Sequence, residues 1–432
     1  MTSGDPPQAA PARFRWLAAL RFLAVALLVC VLLAISTEPQ VPPPTPPDAR
    51  NVDLARGVVR QVAGDENVAG KRQVITLRQP ELDGLSALVS QVMAPIRVDA
   101  RLVAAGPRAA DRPALVARLS RSLPLGAWLN IEARVHSEGD GRALPVVRAR
   151  IGHLPVPAWL TRIVMTHGWS MVQADSAEAK TLEETLPLVR IGPEAARVVL
   201  IHPGRSAALA GLARLGGNAT DPGWVARAYC ALTLHDDADL AAIVRRAWSL
   251  PRPSQLAIVE QNRGLMMAVA MRTIPEYRDR LAGAALPLVA RCTNPDQPVT
   301  LAGRNDLAKH WAMSAALGIS LGGSVAQSLG AFKELSDSLK GGSGFSFVDL
   351  AADRSGERFA RAAANPQLAR FVQTRLAAVT QDQLLAREAL SKPEGIDAAL
   401  FEQTYSNIDS PEYRRALAAI DRLLDDVGVP KP

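Results

Sequence analysis

The stretch "WLNIEARVH", Trp128–His136, alternates apolar and polar side chains along its length. A period of two is typical of a β-strand that buries one face. The same alternation occurs in three neighbouring stretches, "RVDARLV" (97–103), "LVARLSRS" (115–122) and "PVVRARIG" (145–152). Because short turn-like sequences connect these runs, the sequence predicts an antiparallel meander of strands.

The two faces of this meander differ in chemistry. Its apolar positions fall on one face: Val98, Ala100, Leu102, Leu115, Ala117, Leu119, Leu129, Ile131, Ala133, Val135, Val147, Ala149 and Ile151. The other face carries arginines that are candidates for anion binding: Arg101, Arg118, Arg134, Arg148 and Arg150. Guanidinium groups bind phosphate and carboxylate bidentately, so the expected ligand is an anionic lipid or glycan. An ordinary solvated face, or one covered by another domain, is the alternative.

Helices and one more strand flank the meander. "LRQPELDGLSALVSQVM" (77–93) has the apolar spacing of a helix, and "LPVPAWLTRIVMTHGW" (154–169) predicts a capping helix that begins at prolines. "ARVVLIHPG" (196–204) predicts a last strand that closes the sheet. Residues 51–203 therefore predict an α+β domain. The apolar period then becomes 3.6, so residues 204–432 predict an all-α domain.

The N-terminus predicts a single transmembrane helix. "WLAALRFLAVALLVCVLLAIS" (16–36) is long enough to cross a bilayer, and arginines precede it but do not directly follow it. Residues 1–15 are then a cytoplasmic tail, and the proline-rich residues 37–50 a stalk that holds the body away from the membrane. This predicts a bacterial inner-membrane protein with most of its chain in the periplasm. A cleaved signal peptide is the alternative.

Composition excludes one class of partner. The net charge of +7, from 49 basic and 42 acidic residues, is too small for a nucleic-acid binder of 432 residues. Outside the predicted anchor there are two cysteines, Cys230 and Cys292. In an oxidising periplasm they would form a disulfide, and two free buried thiols are the alternative.

Three helical stretches of the all-α domain each offer acidic or imidazole groups at helical spacing. The pairs are Asp306 with His310, Glu334 with Asp337, and Asp349 with Asp353. Ser346 stands three residues before Asp349 and is a candidate cap of the third helix. If the three faces converge, His310, Glu334, Asp337, Asp349 and Asp353 form a cluster suited to acid–base catalysis or to binding. Basic residues lie equally close in sequence and could pair with every one of these charges, so the sequence favours a structural polar seam, with a binding or catalytic site as the alternative.

One order of residues in this region resembles that of the YfiM-like envelope lipoproteins: His310, Lys333, Glu334, Asp337, Ser346, Asp349 and Gly356. VanZ-like proteins share a looser version, although Asp353 stands here where their pattern has Asn. The flanking helices are also less apolar than VanZ helices. Near the N-terminus, "RIGHLPVPAWL" (150–160) after a stalked anchor and a meander resembles YpmS-like membrane-anchored extracytoplasmic proteins. These resemblances imply an envelope setting and mark the polar positions as candidates.

The sequence thus favours a non-enzymatic envelope protein that binds an anionic component or a protein partner. The alternatives are a hydrolase or transferase that uses the His/carboxylate cluster, or lipid binding by the N-terminal domain. No second histidine stands at the spacing of helical-bundle metal sites, so no metal site is predicted, and the sequence leaves the cofactor open.

Overall fold

In the computed structural model of the chain, the residues described are 29, 32–43, 53–55, 57–58, 72–92, 95–105, 112–137, 146–163, 189–201, 220–321, 333–334, 337–338 and 342–431. Strands lie in the N-terminal half and helices dominate the C-terminal half, which confirms an α+β region followed by a helical one. Most of the predicted anchor, residues 16–36, lies outside the described residues. Within the described part, none of the helices combines the length and apolar character needed to span a bilayer.

The first sheet is the predicted meander. It contains β1 (Ile35–Ser36), β3 (Ile96–Val103), β4 (Ala114–Ser122), β5 (Trp128–His136), β6 (Val146–Ile151) and β7 (Leu154–Pro155). The antiparallel order is β3-β4-β5-β6-β7, and β1 pairs with β5. The register places Val98 beside Leu119, Leu119 beside Ile131, and Ile131 beside Ile151, so the predicted apolar positions do share one face. These side chains are half-buried.

A helix covers the open edge of this sheet. Helix α1 (Gln79–Val92) lies against β3, where Ser90 Oγ accepts from Val98 N at 2.8 Å and Gln79 Oε1 accepts from Leu102 N at 2.9 Å. Side chains of α1 thus satisfy edge-strand groups that would otherwise be free to pair with another chain.

A second, smaller sheet was not predicted. It has the order β2-β9-β8, with β2 (Arg72–Arg78), β8 (Val189–Ile191) and β9 (Ala195–Ile201) all antiparallel. The prediction that "ARVVLIHPG" closes the meander is therefore wrong. The strand pairs instead with β2.

The beginning of the predicted stalk lies on the meander. Val41 is 3% exposed, and its N–H donates to Ser120 Oγ at 3.0 Å. Asn130 lies beside it, accepting from Gln40 N at 3.0 Å and donating to Glu38 O at 2.9 Å. Residues 37–43 therefore differ from the expected free spacer. The polar groups of β4 and β5 supply the partners that a proline-rich segment lacks within itself.

Gly152 lets the chain from the predicted anchor approach the sheet. The N–H of His153 donates to Leu33 O at 2.8 Å, and Gly152 has a φ of +57°. A Cβ at position 152 would lie 2.6 Å from the carbonyl oxygens of Leu33 and Ala34. Only glycine allows both this conformation and this contact.

We expect Gly152→Ala to destabilise the protein more than Gly126→Ala. Both glycines have positive φ, +57° and +75°, so alanine costs about 1 kcal/mol at either position. Nothing lies within 4 Å of a Cβ at Gly126, whereas at Gly152 the methyl group also displaces residues 33–34. Thermal unfolding of the two full-length variants measures the difference. Equal shifts in melting temperature would contradict a close contact between Gly152 and residues 33–34.

The described part of the helical region begins with α2 (Pro222–Leu232), α3 (Leu240–Ser249), α4 (Ile258–Thr273), α5 (Arg278–Ala282), α6 (Leu286–Val289) and α7 (Asn305–Leu321). Its later helices are α8 (Phe347–Ala364), α9 (Ala369–Ala377), α10 (Gln381–Leu384), α11 (Ala398–Tyr405) and α12 (Pro411–Asp426). Helix α4 is buried along nearly its whole length, so it forms the centre of this core.

A disulfide links two parts of this core. Cys230 on α2 is bonded to Cys292, which follows α6, and 62 positions separate them in the sequence. Both cysteines pack against the apolar core.

Helices α7 and α8 cross closely because each carries a glycine at the contact. A Cβ at Gly318 would lie 2.9 Å from Ala360 Cβ, and a Cβ at Gly356 would overlap the carbonyl oxygen of Trp311. The indole of Trp311 also donates to Ser355 Oγ at 3.2 Å. Side chains on the facing sides of the two helices, including His310 and Asp353, are therefore brought within hydrogen-bonding distance.

Candidate functional site

The crossing of α7 and α8 forms the centre of a polar cluster. His310 and Ser314, one turn apart on α7, both contact Asp353 on α8. The distance from His310 Nδ1 to Asp353 Oδ1 is 3.2 Å, and Ser314 Oγ donates to the same oxygen at 2.7 Å. Asp353 therefore orients the imidazole, and Ser314 holds Asp353. Ser314 was missed in the sequence, although its position four residues after His310 on the same helix face could have indicated it.

The N-terminus of α8 brings in two more carboxylates. Ser346 caps this helix as predicted, accepting from Asp349 N at 3.0 Å, and its own N–H donates to Glu334 Oε2 at 3.1 Å. Asp349 lies in the first turn, and its Oδ2 is 3.4 Å from His310 Nε2. Both carboxylates thus lie near the positive end of the helix dipole, which stabilises negative charge.

Lys333 completes the cluster from a third segment. Its Nζ is 3.1 Å from Glu334 Oε1, 2.7 Å from Asp337 Oδ2 and 3.2 Å from His310 Nε2. The Lys333 side chain is 49% exposed and that of Asp337 is 19% exposed, whereas that of His310 is 10% exposed. Lys333 and Asp337 therefore form the solvent-facing rim, and the imidazole lies just beneath it.

The structure brings together all five predicted residues, and Asp306 lies outside the cluster. Asp306 instead pairs with Arg304, whose Nη2 is 2.6 Å from Asp306 Oδ2 and 3.8 Å from Asp349 Oδ1. The i, i+4 relation to His310 places Asp306 on the same helix. The arginine two residues before it nevertheless directs its carboxylate to the surface.

The cluster contains more negative than positive groups. Four carboxyl groups, on Glu334, Asp337, Asp349 and Asp353, face the cationic Lys333 and the imidazole. Asp353 Oδ2 and Asp349 Oδ1 are buried without a hydrogen-bond partner among the described residues, although Asp349 Oδ1 is 3.8 Å from Arg304 Nη2. Carboxyl groups this close together raise one another's proton affinity.

Burial and charge shift the proton affinities of these groups. Burial lowers the pKa of His310, but the Asp353 carboxylate offsets this and the pKa rises to about 9. Burial raises the pKa of Glu334 to about 7, against the opposing effect of the Lys333 ammonium. Burial also raises the pKa of Asp349. At neutral pH the imidazole is thus protonated, and Glu334 is near its midpoint of titration.

The protonation state of His310 decides which group its Nε2 contacts. When the imidazole is charged, Nε2–H is a donor, and the carboxylate oxygen Asp349 Oδ2 lies 3.4 Å away as an acceptor. When neutral, with the proton on Nδ1 beside Asp353, Nε2 accepts from Lys333 Nζ at 3.2 Å. Loss of the proton therefore exchanges the Nε2 partner at the rim of the cluster.

Three of these residues could also hold a metal ion. His310, Glu334 and Asp353 each offer a ligand atom, and the three atoms lie within 4.8 Å of one another. The Lys333 ammonium, however, contacts both His310 and Glu334. A divalent cation bound by these three residues would have to displace the Lys333 ammonium.

The predicted anion-binding arginines divide into two groups. Arg118 Nε is 2.9 Å from Glu132 Oε2 and Arg101 Nε is 3.0 Å from Asp99 Oδ2, so these two are paired within the sheet. The other three are exposed and have no carboxylate partner among the described residues: Arg134, Arg148 and Arg150. Arg134 and Arg148 are direct neighbours across β5 and β6. Two adjacent guanidinium groups of this kind suit an anionic ligand.

A cavity of about 500 Å³ lies in the second sheet, at β8 and β9. It is open to solvent, and its lining combines the charged Arg190, Glu194 and Arg197 with the apolar Ile191, Pro193 and Ala195.

Comparisons with protein-family models, with curated proteins and with solved structures gave no match.

Proposed function

We propose that the protein is a membrane-anchored bacterial envelope protein whose helical domain performs acid–base chemistry, as a hydrolase or transferase, at the His310 cluster. One observation carries this proposal. The His310 imidazole is held on Nδ1 by Asp353 and directs Nε2 toward Asp349 and Lys333, just beneath an exposed rim. A histidine oriented by a carboxylate on one nitrogen, with the other nitrogen directed toward the surface, is the usual arrangement of an acid–base catalyst. A reactant would take the place of Lys333 Nζ or Asp349 Oδ2 beside Nε2.

The geometry suggests a role for each group. A substrate oxygen that enters beside Lys333 would meet its ammonium and the Nε2–H of His310, which can donate a proton to a leaving group. Asp349, whose pKa is raised by burial, can take the proton of an attacking water or hydroxyl group. Asp353 is a positioning residue, since it acts through the imidazole. Buried Glu334 supplies a group that exchanges a proton near neutral pH.

The proposed location has separate support. The apolar segment 16–36 with arginines before it favours an anchor whose following residues lie outside the cytoplasm. The Cys230–Cys292 disulfide supports the same location, because such bonds persist mainly in oxidising compartments.

We expect Asp353→Asn to abolish function while leaving the fold intact. Asparagine preserves the size of the side chain and still accepts from Ser314, but it cannot stabilise the imidazolium, so activity should fall on the order of 10²- to 10⁴-fold. The readouts are complementation of a chromosomal deletion under envelope stress, hydrolysis of chromogenic esters and phosphates, and melting temperature.

Asp421→Asn is the matched control. Asp421 is on α12, and its carboxylate is 2.6 Å from Arg354, which neighbours Asp353 on α8. This ion pair lies outside the cluster, so the variant removes a comparable carboxylate without changing the cluster. Normal complementation by Asp353→Asn would identify the cluster as a structural seam and overturn the proposal, whatever the change in melting temperature. If the activity disappears with EDTA and returns when a metal ion is added, the cation of the mechanism is a metal ion and not the Lys333 ammonium.

A second candidate function is binding of an anionic envelope component by the sheet domain. The neighbouring exposed arginines Arg134 and Arg148 favour it, as does Arg150 on the same face. A phosphate-bearing headgroup or an acidic glycan is the ligand class that such a surface would take. This function is compatible with acid–base chemistry in the helical domain.

A further inference from the structure

The chain that leaves the proposed anchor is fixed to the sheet domain without a spacer. Leu33 O accepts from His153 N at 2.8 Å, and Ile35 and Ser36 pair with Leu129 and Trp128 of β5. Because these contacts begin within residues 16–36, the sheet domain must lie directly at the membrane surface if that segment is in the bilayer.

Apolar side chains are exposed close to this contact. The helical segment 158–163 follows β7 and presents Trp159, Leu160 and Ile163 at 64%, 38% and 44% exposure. Thr161 is the buried residue of this segment, and its Oγ1 donates to Val147 O at 3.3 Å, so the inner side of the segment rests on β6. The side that carries Trp159 and Leu160 therefore faces away from the sheet.

This apolar surface lies within reach of the bilayer that would hold the anchor. Trp159 lies six positions after His153, which is a span of at most about 20 Å even for an extended chain. Tryptophan is enriched at membrane interfaces, where its ring contacts acyl chains and its N–H contacts headgroups. Arg148 and Arg150 are exposed just before the Gly152 turn and could meet anionic headgroups.

We propose that the 158–163 segment lies in the interfacial layer of the same bilayer that holds residues 16–36, with Trp159 and Leu160 in contact with lipid. This inference rests on the membrane anchor of the proposed function. It makes the sheet domain a second membrane contact that fixes how the domain is oriented on the bilayer.

The test uses the full-length protein in nanodiscs of phosphatidylethanolamine and phosphatidylglycerol. A spin label is placed at Leu160→Cys in a Cys30→Ser background, and its collisions with oxygen and with a water-soluble nickel complex are measured. Leu234→Cys is the control, since Leu234 is 81% exposed in the helical region. We expect the oxygen-to-nickel ratio at position 160 to exceed that at position 234 several-fold.

A label on the native Cys30 separates the possible failures. A lipid-like ratio at Cys30 with a water-like ratio at position 160 overturns this inference and leaves the anchor standing. Water-like ratios at both positions overturn the anchor as well. A label at position 160 that neither reagent reaches would indicate a protein interface there, which also overturns the inference.

Discussion

The free energy of unfolding of the helical domain should fall as the pH rises from about 4.5 to about 9. The folded state binds more protons than the unfolded state across this range, so stability decreases with pH. Glu334 has a pKa of about 7 in the folded protein against 4.5 for the free group, and His310 has about 9 against 6.5. The contribution of His310 is complete below pH 6.5 and is lost as the pH rises through about 9.

The expected magnitude is large for each group. A pKa difference of this size corresponds to on the order of 3 kcal/mol, and because Glu334 and His310 lie 3.9 Å apart their effects are not additive. Glu334→Gln keeps an acceptor for Ser346 N but cannot ionise. It should therefore remove the decline between pH 4.5 and 7 and make the protein more stable than the wild type at pH 8.

Urea unfolding at a series of pH values, followed by near-ultraviolet circular dichroism of the helical core, measures this profile. Glu394→Gln is the control, because Glu394 is an exposed carboxylate that pairs with Arg304 at 2.9 Å. An arginine lowers the pKa of some other carboxylates, such as Asp306. These groups stabilise the fold at neutral pH and lose that effect only below about pH 4, so they do not change the profile between pH 4.5 and 9. A profile that is flat between pH 4.5 and 9, or equally steep in Glu334→Gln, contradicts the buried-carboxylate account.

Removal of the disulfide should destabilise the helical domain by about 4 kcal/mol. The bond closes a loop across 62 positions, and a chain of that length loses conformational entropy of this order in the unfolded state when it is cross-linked. The double variant Cys230→Ala/Cys292→Ala is preferred, since a single change leaves a reactive thiol.

Denaturant unfolding of this variant, with and without reductant, measures the loss. Cys30→Ala serves as the control for cysteine removal outside the helical domain. Wild-type protein treated with reductant should resemble the double variant. Unchanged stability in both would show that the cross-link does not constrain the unfolded chain.

Local patterns in the sequence were sufficient for much of the fold. The period-two runs specified which side chains of β3 to β6 share a face, because alternation depends only on the strand itself. Ser346 specified the start of α8 for a similar reason, since an N-cap acts within three residues. Pairing between distant segments could not be predicted from local patterns. Strand β9 pairs with β2 instead of the meander, and nothing in the sequence pattern of β9 distinguishes these two partners.

For the candidate site too, local patterns identified the residues, whereas their arrangement depended on the tertiary structure. Helical spacing alone marked His310, Glu334, Asp337, Asp349 and Asp353 as residues on exposed or facing sides of helices. Their convergence required the close crossing of α7 and α8 at Gly318 and Gly356, which sets the 3.2 Å contact between His310 and Asp353. The proton affinities followed from that crossing, because burial and neighbouring charge depend on what the rest of the chain places around each group. Composition and periodicity are properties of neighbouring residues, whereas a site built from three segments exists only after those segments pack.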